Sequence, residues 1–255
     1  EENGVAMASG LAKGGAKVVF STHSTFIQRT YDQLSQDLCV NNNPAVIMVT
    51  MAGADGMNDT THLCIFDIPL MSNIPNLVYL APTCKEEYVA MMDWALSQKS
   101  HPVAVRVPNV VTSRPDVKFD TDYSALNRYV VDHKGSEVAL IGLGNCWQLA
   151  EQVAGLLKEK GIDPTIINPR YITGVDEKLL EELRDGHKLV VTLENGIIAG
   201  GFGEKIAAYY GPSSMRVLCK GLRKEFYDRV PYPELAFRNR LTPELIVEDI
   251  LAALK

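Results

Sequence analysis

Residues 17–38 read KVVFSTHSTFIQRTYDQLSQDL. The opening KVVFST is rich in β-branched and aromatic residues and reads as a short buried strand. FIQRTYDQLSQDL follows with apolar residues at helical spacing. A strand running directly into an amphipathic helix is the repeating unit of an α/β fold. The unit recurs downstream. PAVIMVT (44–50), NLVYLAP (76–82) and PVAVRVP (102–108) read as further buried strands, with a helical EEYVAMMDWALSQK (86–99) before the last.

The rhythm breaks at VTSRPDVKFDTDYSALN (111–127), which is polar, contains a proline and reads as a connection. It resumes with EVALIGLG (137–144), PTIINPR (164–170), KLVVTLEN (188–195) and MRVLCKG (215–221), each followed by a helical pattern. The last helix, in LTPELIVEDILAALK (241–255), has Thr242 placed as an N-cap. This alternation predicts two α/β domains, each a mostly parallel sheet covered by helices on both faces. The expected boundaries are 1–118 and 124–255, with a linker at 119–123. The first domain reads as lacking its front edge. It opens with a helix, EENGVAMASGLAKGG, and no strand precedes it, so that helix is expected to be poorly anchored.

Composition narrows the class. The 255 residues are 46% hydrophobic and 22% charged, enough for substantial cores, and the net charge of -6 argues against a nucleic-acid footprint. No apolar run approaches the roughly 20 residues of a membrane helix. Cys39, Cys64, Cys84, Cys146 and Cys219 are scattered without CxxC spacing, which favours reduced thiols and a cytoplasmic location over a disulfide framework or a zinc site.

Three glycine-rich stretches invite a reading as nucleotide loops. GLGN (142–145) lacks a full GxGxxG and an acidic residue ending the next strand. AGGFG (199–203) opens a helix and reads as a tight turn or a contact surface, and GADG (53–56) has no Asn in the arrangement a metal-diphosphate loop needs. His101, His133 and His187 fall at element edges. His23 ends a strand and His62 follows in a loop, positions where an α/β sheet collects ligands.

Several segments together resemble the 1-deoxy-D-xylulose 5-phosphate synthase family of transketolase-like, thiamine-diphosphate-dependent enzymes. STFIQRTYDQLSQDL (24–38), EENGVAMASGLAKGG, the loop DTTH (59–62), FDIPLMSNIPNLVYLAPT, PVAVRVP and TLENGIIAGGFGEKIA match in order over nearly the whole chain. The resemblance implies a pyrimidine-binding domain followed by a transketolase C-terminal domain. It aligns Glu1 with the catalytic carboxylate that hydrogen-bonds N1′ of the cofactor's aminopyrimidine and assists loss of the thiazolium C2 proton. Phe26 aligns with the ring that stacks on the pyrimidine, though a core Phe at a helix start is the competing reading. Arg29, one turn on, orders the same helix. His62 aligns with a histidine that hydrogen-bonds the donor-derived species. The family holds its diphosphate and Mg²⁺ through a GDG…N motif that this chain lacks, so the resemblance places both on a further domain or subunit, in a homodimeric assembly.

The same register aligns Met51, Asn109 and His23 with two arginines and a tyrosine that bind the acceptor's phosphate. Arginine binds phosphate as a bidentate fork, which methionine and asparagine cannot reproduce. The expectation is a transferase with a pyruvate donor and an altered, aldehyde acceptor. Arg106 and Arg114 are the other basic residues on which a phosphate could rest. The C-terminal subunit of a split transketolase, with a ketose donor, and a non-catalytic subunit remain as alternatives.

Overall fold

Every run read as a strand takes its place in one of two sheets. A computed structural model describes residues 1–56 and 59–255. The first sheet contains β1 (Val19–His23), β2 (Val46–Thr50), β3 (Val78–Leu80) and β4 (Val103–Arg106), in the order β1-β2-β4-β3. All pairs are parallel. Alternation along each strand divides the side chains between two faces. Ile47, Val49, Tyr79 and Ala104 join one buried cluster with Val5, Ala8 and Ala12 of α1 (Glu2–Lys13). Val46, Val78, Leu80, Val103 and Val105 join another, against Met91 and Trp94 of α4 (Lys85–Ser97). Both faces are therefore covered by helices.

The second sheet contains β5 (Val130–His133), β6 (Glu137–Gly142), β7 (Thr165–Asn168), β8 (His187–Ile197) and β9 (Arg216–Leu222), in the order β5-β7-β6-β8-β9. Only β5 runs antiparallel, beside β7. α5 (Cys146–Lys158) and α9 (Pro243–Leu254) cover one face around Trp147, Leu157, Ile246 and Ile250. α6 (Glu177–Glu182) and α7 (Phe202–Tyr210) lie on the other, where Leu180, Phe202 and Ile206 join the cluster that also holds Ile47 and Tyr79 of the first sheet. One apolar core thus runs across both sheets. The backbone continues the junction: Ala81 N donates to Arg170 O at 2.8 Å, and Ile172 N donates to Tyr79 O at 2.8 Å.

The first helix departs from expectation. α1 is firmly seated: Val5 is fully buried, Ser9 Oγ donates to Asp37 O at 2.7 Å, and Asn43 Nδ2 donates to Ser9 Oγ at 2.8 Å. The polar tether lies between α1 and the following helix, a contact not visible in a strand-by-strand reading. That following helix is not uniform. It begins as α2 (Ser24–Ile27), tightens to a 3₁₀ turn at Gln28–Thr30 and widens to a π turn at Gln33–Cys39. Three short elements escape the sequence pattern: β5, α3 (Asp67–Met71) and α8 (Tyr232–Arg238). Each spans at most two helical turns or four strand residues, too few for a period to register. At the far end Thr242 does cap α9, its hydroxyl accepting from Leu245 N at 3.4 Å.

Candidate functional site

β1 delivers His23 to the carboxyl edge of the first sheet, beside Thr50 at the end of β2. The chain turns at once into α2, whose first residue is held from below: Ser24 Oγ donates to Asp67 Oδ1 at 3.2 Å. Phe26 therefore stands at the same edge. Its ring stacks near that of His23, with centroids 5.9 Å apart and planes at 28°, and meets His62 edge-on at 5.5 Å. The Arg29 guanidinium carbon lies 5.9 Å from the Phe26 centroid, and Arg29 Nη1 donates to Glu1 Oε2 at 3.3 Å. Glu1, His23, Phe26, Arg29 and His62 thus form one connected group on an open surface.

Two local bonds orient the histidines. His23 Nδ1 lies 2.8 Å from Thr50 Oγ1. His62 sits in a small polar knot with Thr61 and Asp59: Thr61 N and Thr61 Oγ1 donate to Asp59 Oδ1 at 2.8 and 2.6 Å, and His62 Nδ1 approaches Thr61 Oγ1 at 2.7 Å and Asp59 Oδ1 at 3.3 Å. The bonds from Thr61, then that from His62, hold the Asp59 carboxyl down at about 2.

Met51 and Asn109 are placed differently. Met51 follows Thr50 directly, in the left-handed region at φ 55°. Asn109 Nδ2 donates to Asp55 O at 3.2 Å, joining a knot in which Asp55 Oδ1 accepts from Asn195 Nδ2 at 2.8 Å. Gly53 packs against Asn195 at φ 115°, a conformation that excludes a side chain there. Met51 therefore lies next to the histidine edge, and Asn109 is tied to the Asp55 loop that in turn meets Asn195 of the second sheet. Arg106 and Arg114 are both engaged internally. Arg106, 2% exposed, donates to Asp67 Oδ2 at 2.7 Å and to Asn195 O at 2.9 Å. The Arg114 guanidinium lies 3.5 Å over the Trp147 ring.

Sequence reasoning passed over the buried group beneath this edge. Asp67 is fully buried and takes hydrogen bonds from Arg106, from Ser24, and from Tyr79 Oη at 2.5 Å. Burial, then the neighbouring Asp67 charge, pushes the Tyr79 phenol up. A signal was present: FDIPL and VAVRV each carry one charge, of opposite sign, in an otherwise apolar run. The AGGFG turn is explained as well. Glu194 accepts from Phe202 N at 2.9 Å and Gly203 N at 2.8 Å, so a protein carboxylate occupies the N-terminus of α7 where a phosphate would otherwise sit. Burial outweighs those two bonds and raises the Glu194 carboxyl to about 7.

Two mostly parallel sheets on one shared core, with an aromatic ring, a carboxylate and two histidines gathered at a carboxyl edge of the first, make an α/β protein of the transketolase-like fold. The family comparisons agree: residues 1–112 match the transketolase pyrimidine binding domain and residues 127–235 the transketolase C-terminal domain, and the chain belongs to that family. It is similar to 1-deoxy-D-xylulose-5-phosphate synthases: 35% identical over 253 residues to that of Clostridium tetani, covering 98% of this chain and 40% of the relative. With the Symbiobacterium thermophilum synthase it shares 35% identity over 260 residues, covering 100% and 39%. The chain therefore spans about two fifths of the length of these curated relatives. Its fold is similar to that of a split-gene transketolase solved as an inactive beta4 tetramer, with a TM-score of 0.86 at 24% identity, over 100% of this chain and 82% of that one. A Pichia stipitis transketolase variant gives 0.78 at 15% identity, over 98% and 36%.

Proposed function

We propose that the chain forms the pyrimidine-binding and C-terminal portion of a thiamine-diphosphate-dependent two-carbon transferase resembling 1-deoxy-D-xylulose-5-phosphate synthase, with pyruvate as donor and an aldehyde as acceptor. Its working units are residues 1–118 and 124–255, with 119–123 between them. The observation that carries the reading is the single cluster of Glu1, Arg29, Phe26 and His62 at the open edge of the first sheet. These side chains suit an aminopyrimidine: a flat apolar face beside a partly exposed carboxylate. When bound, thiamine diphosphate supplies a nucleophilic carbon that the protein lacks.

The chain's own residues do the rest. Phe26 orients the pyrimidine ring by stacking. Glu1 holds a proton against ring nitrogen N1′, and Arg29 fixes the carboxylate through Oε2. His62 hydrogen-bonds the donor-derived oxygen. Among the described residues no group of three or more His, Cys, Asp or Glu could hold a metal ion. By the resemblance, Mg²⁺ and the diphosphate are assigned to a further domain or subunit, with the assembly a homodimer of complete units in the cytoplasm. No helix of the described residues is long and apolar enough to cross a membrane.

The acceptor is the point of divergence. Met51 and Asn109 offer no charge, Arg106 is committed to Asp67, and Arg114 lies over Trp147 with its charge 3.8 Å from Asp132. We assign an acceptor without a phosphate at this position. The fold likeness to a split-gene transketolase supports a second reading, a separate subunit using a ketose donor. One experiment separates these: combine the chain with a diphosphate-binding partner, thiamine diphosphate and Mg²⁺, and follow product with each donor and acceptor. Pyruvate should support turnover, and glyceraldehyde 3-phosphate should be used about 10²–10⁴-fold less efficiently than by a phosphate-binding synthase. Turnover with a ketose alone selects the second reading; no turnover with either, despite cofactor binding, overturns both.

A further inference from the structure

Asp59 has no part in the reading above, yet it determines the state of the histidine that does. A hydroxyl has one hydrogen to give. Asp59, held ionised by its neighbours, can only accept, so the 2.6 Å bond from Thr61 Oγ1 uses that hydrogen. Thr61 Oγ1 then meets His62 Nδ1, at 2.7 Å, with a lone pair alone. The other neighbour of Nδ1, Asp59 Oδ1 at 3.3 Å, is also an acceptor. Nδ1 faces two acceptors and must carry the hydrogen. In the neutral ring Nε2 is left bare.

We propose that Asp59 is a positioning residue: by taking the Thr61 hydroxyl hydrogen it locks His62 in the Nδ1–H tautomer and presents Nε2 as an acceptor to a substrate hydroxyl. Among the described residues Nε2 has no hydrogen-bond partner, and the side chain is 46% exposed. The knot is tied to the site, since Thr25 Oγ1 of α2 donates to Thr61 O at 3.4 Å and Phe26 packs against the imidazole. The consequence for substrate rests on the proposed function; the tautomer does not.

The test reads the tautomer directly. The chain is labelled with ¹⁵N at histidine, His62 is assigned by its loss in His62→Gln, and ring nitrogen shifts are recorded at a pH where the ring is neutral. The wild type should show a protonated Nδ1 and a bare Nε2. Asp59→Ala frees the Thr61 hydroxyl to donate to Nδ1, so the pattern should invert. Thr61→Val leaves the Asp59 acceptor in place and should keep the wild-type pattern. An Nε2–H wild type, an unchanged Asp59→Ala or an inverted Thr61→Val each overturns the proposal. No cofactor or substrate enters this measurement, so it stands or falls apart from the assigned activity. In the assembled enzyme Asp59→Ala should lower kcat about 10²-fold, and Thr61→Val much less; equal loss in both counts against Asp59.

Discussion

At the end of β1 the first sheet presents His23, Phe26, Arg29 and His62 with long contacts, 5.5 to 5.9 Å between rings and 3.3 Å from Arg29 to Glu1. At the corresponding end of β8 the second sheet has Glu194, 1% exposed and bound at 2.8 and 2.9 Å to the two amides that open α7. Both edges are carboxyl ends of parallel strands, and both have a carboxylate within reach. One edge keeps its polar groups only partly satisfied and open to solvent. The other satisfies them within the protein. A binding edge needs unspent hydrogen-bonding capacity, whereas a structural edge has none left.

The largest effect expected from this contrast is on chemistry, at the open edge. In the assembled enzyme Glu1→Ala should cut turnover by about 10²–10⁴-fold while changing folding stability by less than about 1 kcal/mol. Cofactor C2 hydrogen–deuterium exchange would check it, and unchanged exchange would leave Glu1 only a helix-terminal charge. The next effect is on stability, in the buried group beneath that edge. Asp67→Ala strands the Arg106 guanidinium in the core and should cost about 3–5 kcal/mol in urea unfolding. A loss below about 1 kcal/mol would mean that the pair does not anchor Ser24 and α2.

The closed edge should show itself through pH. Glu194 is raised from 4.5 to about 7 in the folded chain, so the native state binds the extra proton between those values. Its contribution is therefore greatest below the unfolded value and declines as pH rises through about 7, by about 3 kcal/mol in total. Glu194→Gln should flatten that slope in a stability–pH series; an identical slope in the variant would place the titration elsewhere. The smallest effect is expected at Arg29, 62% exposed, where Arg29→Met should change stability by less than about 1 kcal/mol. The same change should weaken thiamine diphosphate binding in the assembled enzyme, and equal affinity would separate Arg29 from the site.

Much of this molecule is readable from local pattern. Short β-branched runs locate every strand of the two sheets except β5, helical spacing locates the long helices, and Thr242 announces the start of the last one. The resemblance carried by EENGVAMASGLAKGG, STFIQRTYDQLSQDL and DTTH singled out Glu1, Phe26, Arg29 and His62, and these side chains do meet at one edge. Pattern did not reveal the tether between α1 and Asn43, because one buried serine at helical spacing is no different from a small core residue.

Nor could pattern reveal pairs whose meaning lies in distance. Asp67 and Arg106 are far apart in sequence and each reads alone as an anomaly in an apolar run; only the juxtaposition of α3 and β4 turns two costly charges into one satisfied pair. Asp55 finds Asn195 across both sheets, and its backbone oxygen accepts from Asn109. By itself, then, the sequence determined the two α/β units and the residue types available for chemistry, because strand and helix formation depend on neighbours a few positions away. Which polar groups are spent on one another and which stay open to a ligand was decided by tertiary packing, because hydrogen-bond satisfaction depends on partners brought together across the chain.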